Sequence, residues 1–235
     1  MKNSYAKYLI KKTEDDYNRI ATAFSNKRSY ITPDLLEFKK YVASGDKVLD
    51  LGCGNGRLLD VLSDIEIDYL GVDLSANLLE IAQEKHKSNR FLKMDGEKIP
   101  ARDESFDVIF CLAVLHHLPS SRERVQLLKE VRRVLKPGGK LILTVWNLRL
   151  KKEVRRTIFF NNIKRLLHLL AFDDGDILYP FRDGNSEVLA HRYLHCFTEK
   201  ELVEEQKLAG LNVVESGFQS RGKKVRNENI YTVAN

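Results

Sequence analysis

The chain has 235 residues but only three cysteines, five prolines and a single tryptophan. Cys53, Cys111 and Cys196 are odd in number and no two are close in sequence. That excludes a disulfide-stapled scaffold and the paired-cysteine spacing of a structural zinc site. Two of them sit in apolar runs, the setting of buried free thiols in a reducing cytosol. Long hydrophobic runs are also missing. No apolar stretch approaches the roughly 20 residues that span a bilayer, so no integral membrane association is expected. The opening Met1-Lys2-Asn3-Ser4-Tyr5 has no apolar run of signal-peptide length. With the cysteine usage, this makes the cytoplasm the expected location. There is no internal repeat and no low-complexity linker, so a single domain over residues 1–235 is expected.

What is present is charge and alternation. Lysine and arginine number 39 against 33 acidic residues, a formal net charge of +6. An excess of this size permits nucleic-acid binding without establishing it. Short apolar runs at Lys47–Cys53, Tyr69–Leu74, Arg90–Met94, Phe106–Ala113 and Lys140–Trp146 alternate with amphipathic stretches near Arg57–Ser63, Ala76–His86 and Arg122–Leu135. This is the pattern of a parallel sheet covered by helices. The last of these helices is expected to stop at Lys136-Pro137-Gly138-Gly139. Ahead of the first strand, Thr13 with Asp15 and Asp16 predicts the start of a helix through Tyr17, Ile20, Ala21 and Phe24. Thr198 is the predicted N-cap of a helix ending at Gly210, and strand-like runs follow at Leu211–Phe218 and Ile230–Val233. The sum is an α/β, doubly wound, seven-stranded and mostly parallel sheet of Rossmann-like type. The stretch 148–192 breaks the alternation. It reads as an insertion over the carboxyl edge of the sheet, a basic amphipathic helix with Leu150, Val154, Ile158, Ile163, Leu166, Leu167 and Leu170 apolar, then a turn-rich piece.

The strongest motif is Val48-Leu49-Asp50-Leu51-Gly52-Cys53-Gly54-Asn55-Gly56, a hydrophobic strand ending in a glycine-rich turn. A dinucleotide fingerprint would need its third glycine one place later, where Arg57 stands. The compressed Gly-x-Gly-x-Gly turn suits a ligand with no pyrophosphate to seat, such as the amino-acid tail of S-adenosylmethionine (SAM). Asp50 is placed to meet that ligand's ammonium. Roughly 20 residues on, Gly71-Val72-Asp73-Leu74 ends the second strand with an acid able to accept from both ribose hydroxyls. Met94-Asp95-Gly96 ends the third strand, with Asp95 facing the adenine amino group. Ala113-Val114-Leu115-His116-His117-Leu118 is the exit of the fourth. Four such pieces in this order, each at a strand's carboxyl end, specify a cofactor site. The cofactor-binding set is Asp50, Gly52, Gly54, Gly56, Asp73, Leu74, Asp95, Gly96 and Ala113.

The pattern resembles the class I SAM-dependent methyltransferases over about Tyr41–Trp146, and again in the closing helix and strands. A narrower resemblance lies outside these motifs. Tyr17-Asn18-Arg19-Ile20-Ala21 with Phe24-Ser25 and Arg28, the Cys111–Leu118 run, Thr144-Val145-Trp146, and His191-Arg192-Tyr193-Leu194-His195-Cys196-Phe197 are similar to segments of the tRNA wobble-uridine carboxymethyl methyltransferases. The chain departs from them at Asn229-Ile230 and at Asn147-Leu148-Arg149. The resemblance implies methyl transfer from SAM to the carboxylate of a modified wobble uridine, forming a methyl ester. It implies tRNA as substrate and, in eukaryotes, a small zinc-binding activator protein as partner. A carboxylate with a pKa near ~4 is already ionised at neutral pH and needs no general base. It needs cations and donors to hold it, and Arg28, His116, Arg192 and His195 are the candidates.

Other readings share these motifs. A small-molecule methyltransferase acting on a carboxylate, phenol or quinone precursor has the same cofactor site, and so has a catalytically idle SAM-binding partner protein. His116 and His117 also suit a hydrogen-bonded loop cap, and Tyr193 and Phe197 suit a core. His191 and His195 have zinc-ligand spacing without an accompanying Cys-x-x-Cys pair, so no metal is expected. Arg149, Lys151, Lys152, Arg155, Arg156, Lys164 and Arg165 form a candidate phosphate-binding face or a solvated one. Arg221, Lys223, Lys224 and Arg226 form a second basic run of the same kind.

Overall fold

A computed structural model describes residues 1–28, 31, 33–220 and 227–235. Helix α1 (Asn3–Lys27) comes first, then a single turn α2 (Pro33–Leu36) and a 3-10 segment at Glu37–Tyr41. The alternating core is β1 (Lys47–Leu51), α3 (Arg57–Val61), β2 (Asp68–Asp73), α4 (Ala76–Lys85), β3 (Arg90–Lys93), β4 (Phe106–Leu112), α5 (Ser120–Val134) and β5 (Leu135–Trp146). Helix α6 (Lys152–Leu166) and the strands β6 (Asp176–Arg182) and β7 (Val188–His195) follow, and α7 (Glu199–Leu208), β8 (Val213–Gln219) and β9 (Asn229–Ala234) close the domain.

Seven strands form one sheet in the order β3-β2-β1-β4-β5-β9-β8. The first five are parallel, and β9 runs antiparallel between β5 and β8. Strands buried on both faces must be apolar throughout, and Val48, Leu49 and Leu51 of β1 are at most 1% exposed. Chain direction across the sheet reverses between β1 and β4, which opens a crevice at their carboxyl ends. Helix α5 lays Leu127, Leu128, Val131 and Val134 on the sheet. Ser75 and Thr198 cap α4 and α7 by accepting from the backbone N–H of Leu78 and Glu201. Each such cap is worth about 1 kcal/mol.

The doubly wound sheet is the one predicted, and four local features differ. Helix α1 starts ten residues before Thr13, because Ala6 and Leu9 extend the buried stripe. Thr13 is buried in mid-helix, and its hydroxyl donates to the Leu9 carbonyl at 2.9 Å. Strand β5 begins at Leu135, which pairs with Phe106 before an irregularity carries the register to Lys140 opposite Val108. The turn-rich half of the insertion is a two-stranded antiparallel hairpin, β6 with β7. Helix α6 buries only Val154 and Ile158; Ile163, Leu166 and Leu167 are 42%, 78% and 61% exposed. The basic run from Arg221 to Arg226 lies outside the described residues.

Candidate active site

The crevice between β1 and β4 holds two connected clefts. The first runs from the glycine turn to β3, under the face of α1 that carries Ile10, Thr13, Tyr17 and Phe24. Gly52 has a φ of +75°, and a Cβ there would stand 2.3 Å from Val114 Cγ2. No other residue fits, so the strand must end in glycine where β1 meets the β4 exit. Gly54, at φ +55°, also lines the cleft. Gly56 does not line it; at φ +73° it opens α3, where a Cβ would press on His86.

Asp73 Oδ2 accepts from the Gly54 N–H at 2.9 Å, and Oδ1 from the Ser75 N–H at 2.8 Å. Burial raises its pKa, and these backbone donors hold it down. The carboxylate is thus fixed in the cleft with lone pairs left for a diol. Beyond it Leu74, Met94, Gly96 and Leu118 make an apolar slot. On the other side of the turn, Asp50 and Arg57 line an adjoining recess. Burial lifts Asp50 to about 7, against the Tyr69 hydroxyl that donates to it at 2.9 Å. An acid and a guanidinium flanking a recess complement a zwitterionic amino-acid tail, and the fixed acid beside an apolar slot complements an adenosine. The residues present therefore fit SAM.

Asp95 is placed differently from expectation. It is exposed, and its Oδ1 accepts from the backbone N–H groups of Glu97 and Lys98. The cleft wall there is Met94 and Gly96 instead.

The second cleft shares Arg28, Leu112, Ala113 and Trp146 with the first, and adds Asp34, Lys151, Tyr179, Arg192 and Glu228. Ala113 marks the junction. Its φ of +59° is left-handed, and its N–H donates to both the carbonyl and the hydroxyl of Thr144, at 2.9 and 3.0 Å. A non-glycine residue held this way costs about 1–3 kcal/mol, a pattern typical of sites.

Arg192 is 4% exposed. Its guanidinium carbon stands 5.1 Å from the Phe181 ring centroid, 5.3 Å from Trp146 and 5.8 Å from Tyr17. Nη1 donates to the Tyr17 hydroxyl at 3.0 Å and Nε has no partner. Arg28 is over the Phe24 ring at 5.0 Å and the Trp146 ring at 5.9 Å. The two cations are thus caged by aromatic rings at the junction of the clefts.

The histidines divide in an unexpected way. His116 is fully buried behind Trp146, with ring centroids 4.8 Å apart, and neither ring nitrogen has a partner. Burial and the neighbouring His117, Arg192 and Arg28 keep its pKa well below the ordinary value. It lines neither cleft. His117, for which a loop cap and a site role were both open, lines the first cleft. Burial and Arg192 push it down to about 3. His195 is not in the site either. Its Nδ1 is 2.8 Å from Asp176 Oδ1 and its Nε2 2.8 Å from Glu201 Oε1, inside the protein. Burial lowers its pKa, but these two carboxylates more than offset that and raise it. Tyr17, Trp146 and Arg57 are among the lining residues that sequence reasoning left without a site role. The signal for Tyr17 was its place on the same helical stripe as Ile10 and Phe24.

Among the described residues no cluster of metal-ligating side chains occurs, and no helix is long and apolar enough to cross a membrane. The three cysteines are buried and free.

A family model described as a methyltransferase domain matches residues 49–143. Residues 49–143 are thus similar to a methyltransferase domain, and the cleft fitted to SAM lies largely within them. Among curated proteins, the chain is 38% identical over 130 residues to the tRNA (carboxymethyluridine(34)-5-O)-methyltransferase of Mus musculus, covering 55% of this chain and 19% of that protein. The chain thus spans about a fifth of that relative's length. Among solved structures, a SAM-dependent methyltransferase from Methanosarcina mazei superposes with a TM-score of 0.70 at 24% identity, over 87% of this chain and 97% of that one. A methyltransferase of Haloferax volcanii, solved in complex with the Trm112 methyltransferase activator, gives 0.65 at 19% identity, over 94% and 96%. The two structural likenesses are likenesses of fold.

Proposed function

We propose that the protein methylates the carboxylate of a modified wobble uridine in tRNA, forming a methyl ester. The observation that carries this reading is Arg192, a buried guanidinium with no carboxylate partner among the described residues, at the junction of the cofactor and acceptor clefts. Bound SAM supplies an electrophilic methyl group on a sulfonium. The protein's part is to hold the acceptor oxygen in line with it. Arg192 and Arg28 would neutralise and orient the carboxylate, and Lys151 and Tyr179 line the outer end of the same cleft. Asp34 Oδ1 and Glu228 Oε2 have no hydrogen-bond partner there, which suits a heterocycle or ribose bringing donors of its own.

The histidines favour a carboxylate over a phenol. A phenol must lose its proton, and a base depressed to about 3 is a poor acceptor of it at neutral pH. The exposed cations of α6 and its approach, Lys152, Arg155, Arg156, Lys164 and Arg165, give phosphates a face beside the acceptor cleft. A small activator protein of the Trm112 kind belongs to the same reading, on the likeness of fold to the Haloferax volcanii protein. The test is transfer of labelled methyl from SAM to tRNA carrying wobble 5-carboxymethyluridine, run beside a small-metabolite pool. Base-labile label in the tRNA is expected. Label only in the small-molecule pool would establish the small-molecule reading instead.

A further inference from the structure

Tyr17 and His117 are 100 residues apart in sequence and 2.8 Å apart in space, Oη to Nε2. Their rings meet edge to face at 5.1 Å. The other imidazole nitrogen, Nδ1, faces the Tyr193 carbonyl oxygen at 3.2 Å. A carbonyl only accepts, so Nδ1 must carry the proton. In a neutral ring Nε2 is then a bare acceptor, and the Tyr17 hydroxyl must donate to it. The cationic ring, in which Nε2 would also be a donor, is disfavoured here by burial and by Arg192. With its proton committed, Tyr17 Oη presents only lone pairs, and Arg192 Nη1 donates to it at 3.0 Å. Every bond in this chain has one allowed direction. It starts at a backbone carbonyl of β7 and returns to the side chain of the residue before it, Arg192.

We infer that Tyr17, oriented by His117, is a positioning residue that fixes the Arg192 guanidinium for the acceptor's anion. Arg192 lacks the carboxylate that would ordinarily hold a buried arginine. Three aromatic rings confine it but offer no hydrogen-bond acceptor of fixed direction to set its rotation. The Tyr17 hydroxyl sets that rotation without adding a negative charge, and a carboxylate in its place would compete with the substrate. The tyrosine also lines the cofactor cleft. One side chain therefore ties the acceptor's cation to the cofactor wall.

This inference rests on the proposed role of Arg192, and its test separates the two. In the full chain, Tyr17→Phe keeps the ring and removes the hydroxyl. With wobble 5-carboxymethyluridine tRNA as acceptor, KM is expected to rise about ten-fold, the worth of one charge-assisted hydrogen bond. SAM affinity and Tm should stay close to wild type. A parallel fall in SAM affinity, or an unchanged KM, overturns the inference. Nitrogen NMR without acceptor supplies the second arm. Wild-type His117 should be the Nδ1–H tautomer, and Tyr17→Phe should shift its Nε2. Acetate, as a probe anion, should perturb the Arg192 Nε–H at concentrations about ten-fold lower in wild type than in Tyr17→Phe. An Nε2–H tautomer, or equal acetate response, overturns it even if tRNA proves not to be the substrate. If wild type methylates no tRNA while both NMR results hold, the positioning role stands and the choice of acceptor fails.

Discussion

Arg124 and Arg192 are equally buried, at 2% and 4% exposure, and they are held in opposite ways. Arg124 meets Glu205 with two donors, Nε to Oε2 at 2.8 Å and Nη2 to Oε1 at 2.6 Å, and Glu201 is 3.5 Å away. Arg192 has rings and a tyrosine hydroxyl. The first joins α5 to α7 and leaves nothing for a ligand. The second faces a cleft and has no carboxylate within ion-pair distance among the described residues. Burial alone therefore does not say what an arginine is for; the identity of its partner does.

The comparison breaks if the two arginines respond alike to substitution. Arg124→Met strands Glu205 without its partner, and should cost about 3–5 kcal/mol of stability, read as a large fall in Tm or in denaturant midpoint. Arg192→Gln should leave the midpoint almost unchanged while methyl transfer to a carboxylate acceptor falls about ten-fold or more, with SAM affinity retained. Equal destabilisation by both would make Arg192 structural. The cofactor end sharpens the contrast. Asp73→Ala should weaken SAM by about 1–3 kcal/mol in calorimetry, with no change in the acceptor's contacts. Neutralising Lys152, Arg155 and Arg156 together should reduce the salt slope of tRNA binding by nearly one unit per lost phosphate contact. A slope equal to wild type would assign those side chains to solvent.

The smallest expected effect is on stability against pH. His195, raised above 6.5 by Asp176 and Glu201 despite burial, contributes stability that is fully present below 6.5 and lost as pH rises through its folded value. His117 runs the other way. Depressed from 6.5 to about 3, it withholds a proton that the unfolded chain binds, so stability falls as pH drops below 6.5. Paired Tm profiles of His195→Gln and His117→Gln should lose opposite flanks of the wild-type curve. Loss of the same flank in both would contradict the assignment.

Local chemistry was legible in the sequence. The glycine turn, the acid ending β2 and the Thr198-capped helix follow from residue type and spacing, and they hold because each is decided within a few residues. Convergence was not legible. Tyr17 meets Arg192 across 175 residues, and no local pattern encodes that. The Arg192–His195 pair shows how one missing fact misleads. Both belong to one motif-like segment, and both were candidates for the site. Once that segment is a strand, residues three apart leave opposite faces. Tyr193 and His195 point together at Asp176 Oδ1, and Arg192 points away into the cleft. His116 was misjudged for a related reason. The β4 exit turns through the left-handed Ala113, and that turn sends His117 forward and His116 behind the tryptophan.

The bond between Tyr17 and Arg192 also has a history in time. A ribosome emits the tyrosine long before the strand that carries the arginine. The glycine turn, β2 and β4 are all out before β7 exists, since they precede it in the chain. Synthesis therefore delivers the strands that flank the first cleft before Arg192, which lines the second. A nascent chain thus carries Tyr17 and His117, hydrogen-bonded in the finished protein, before the arginine that the tyrosine meets exists.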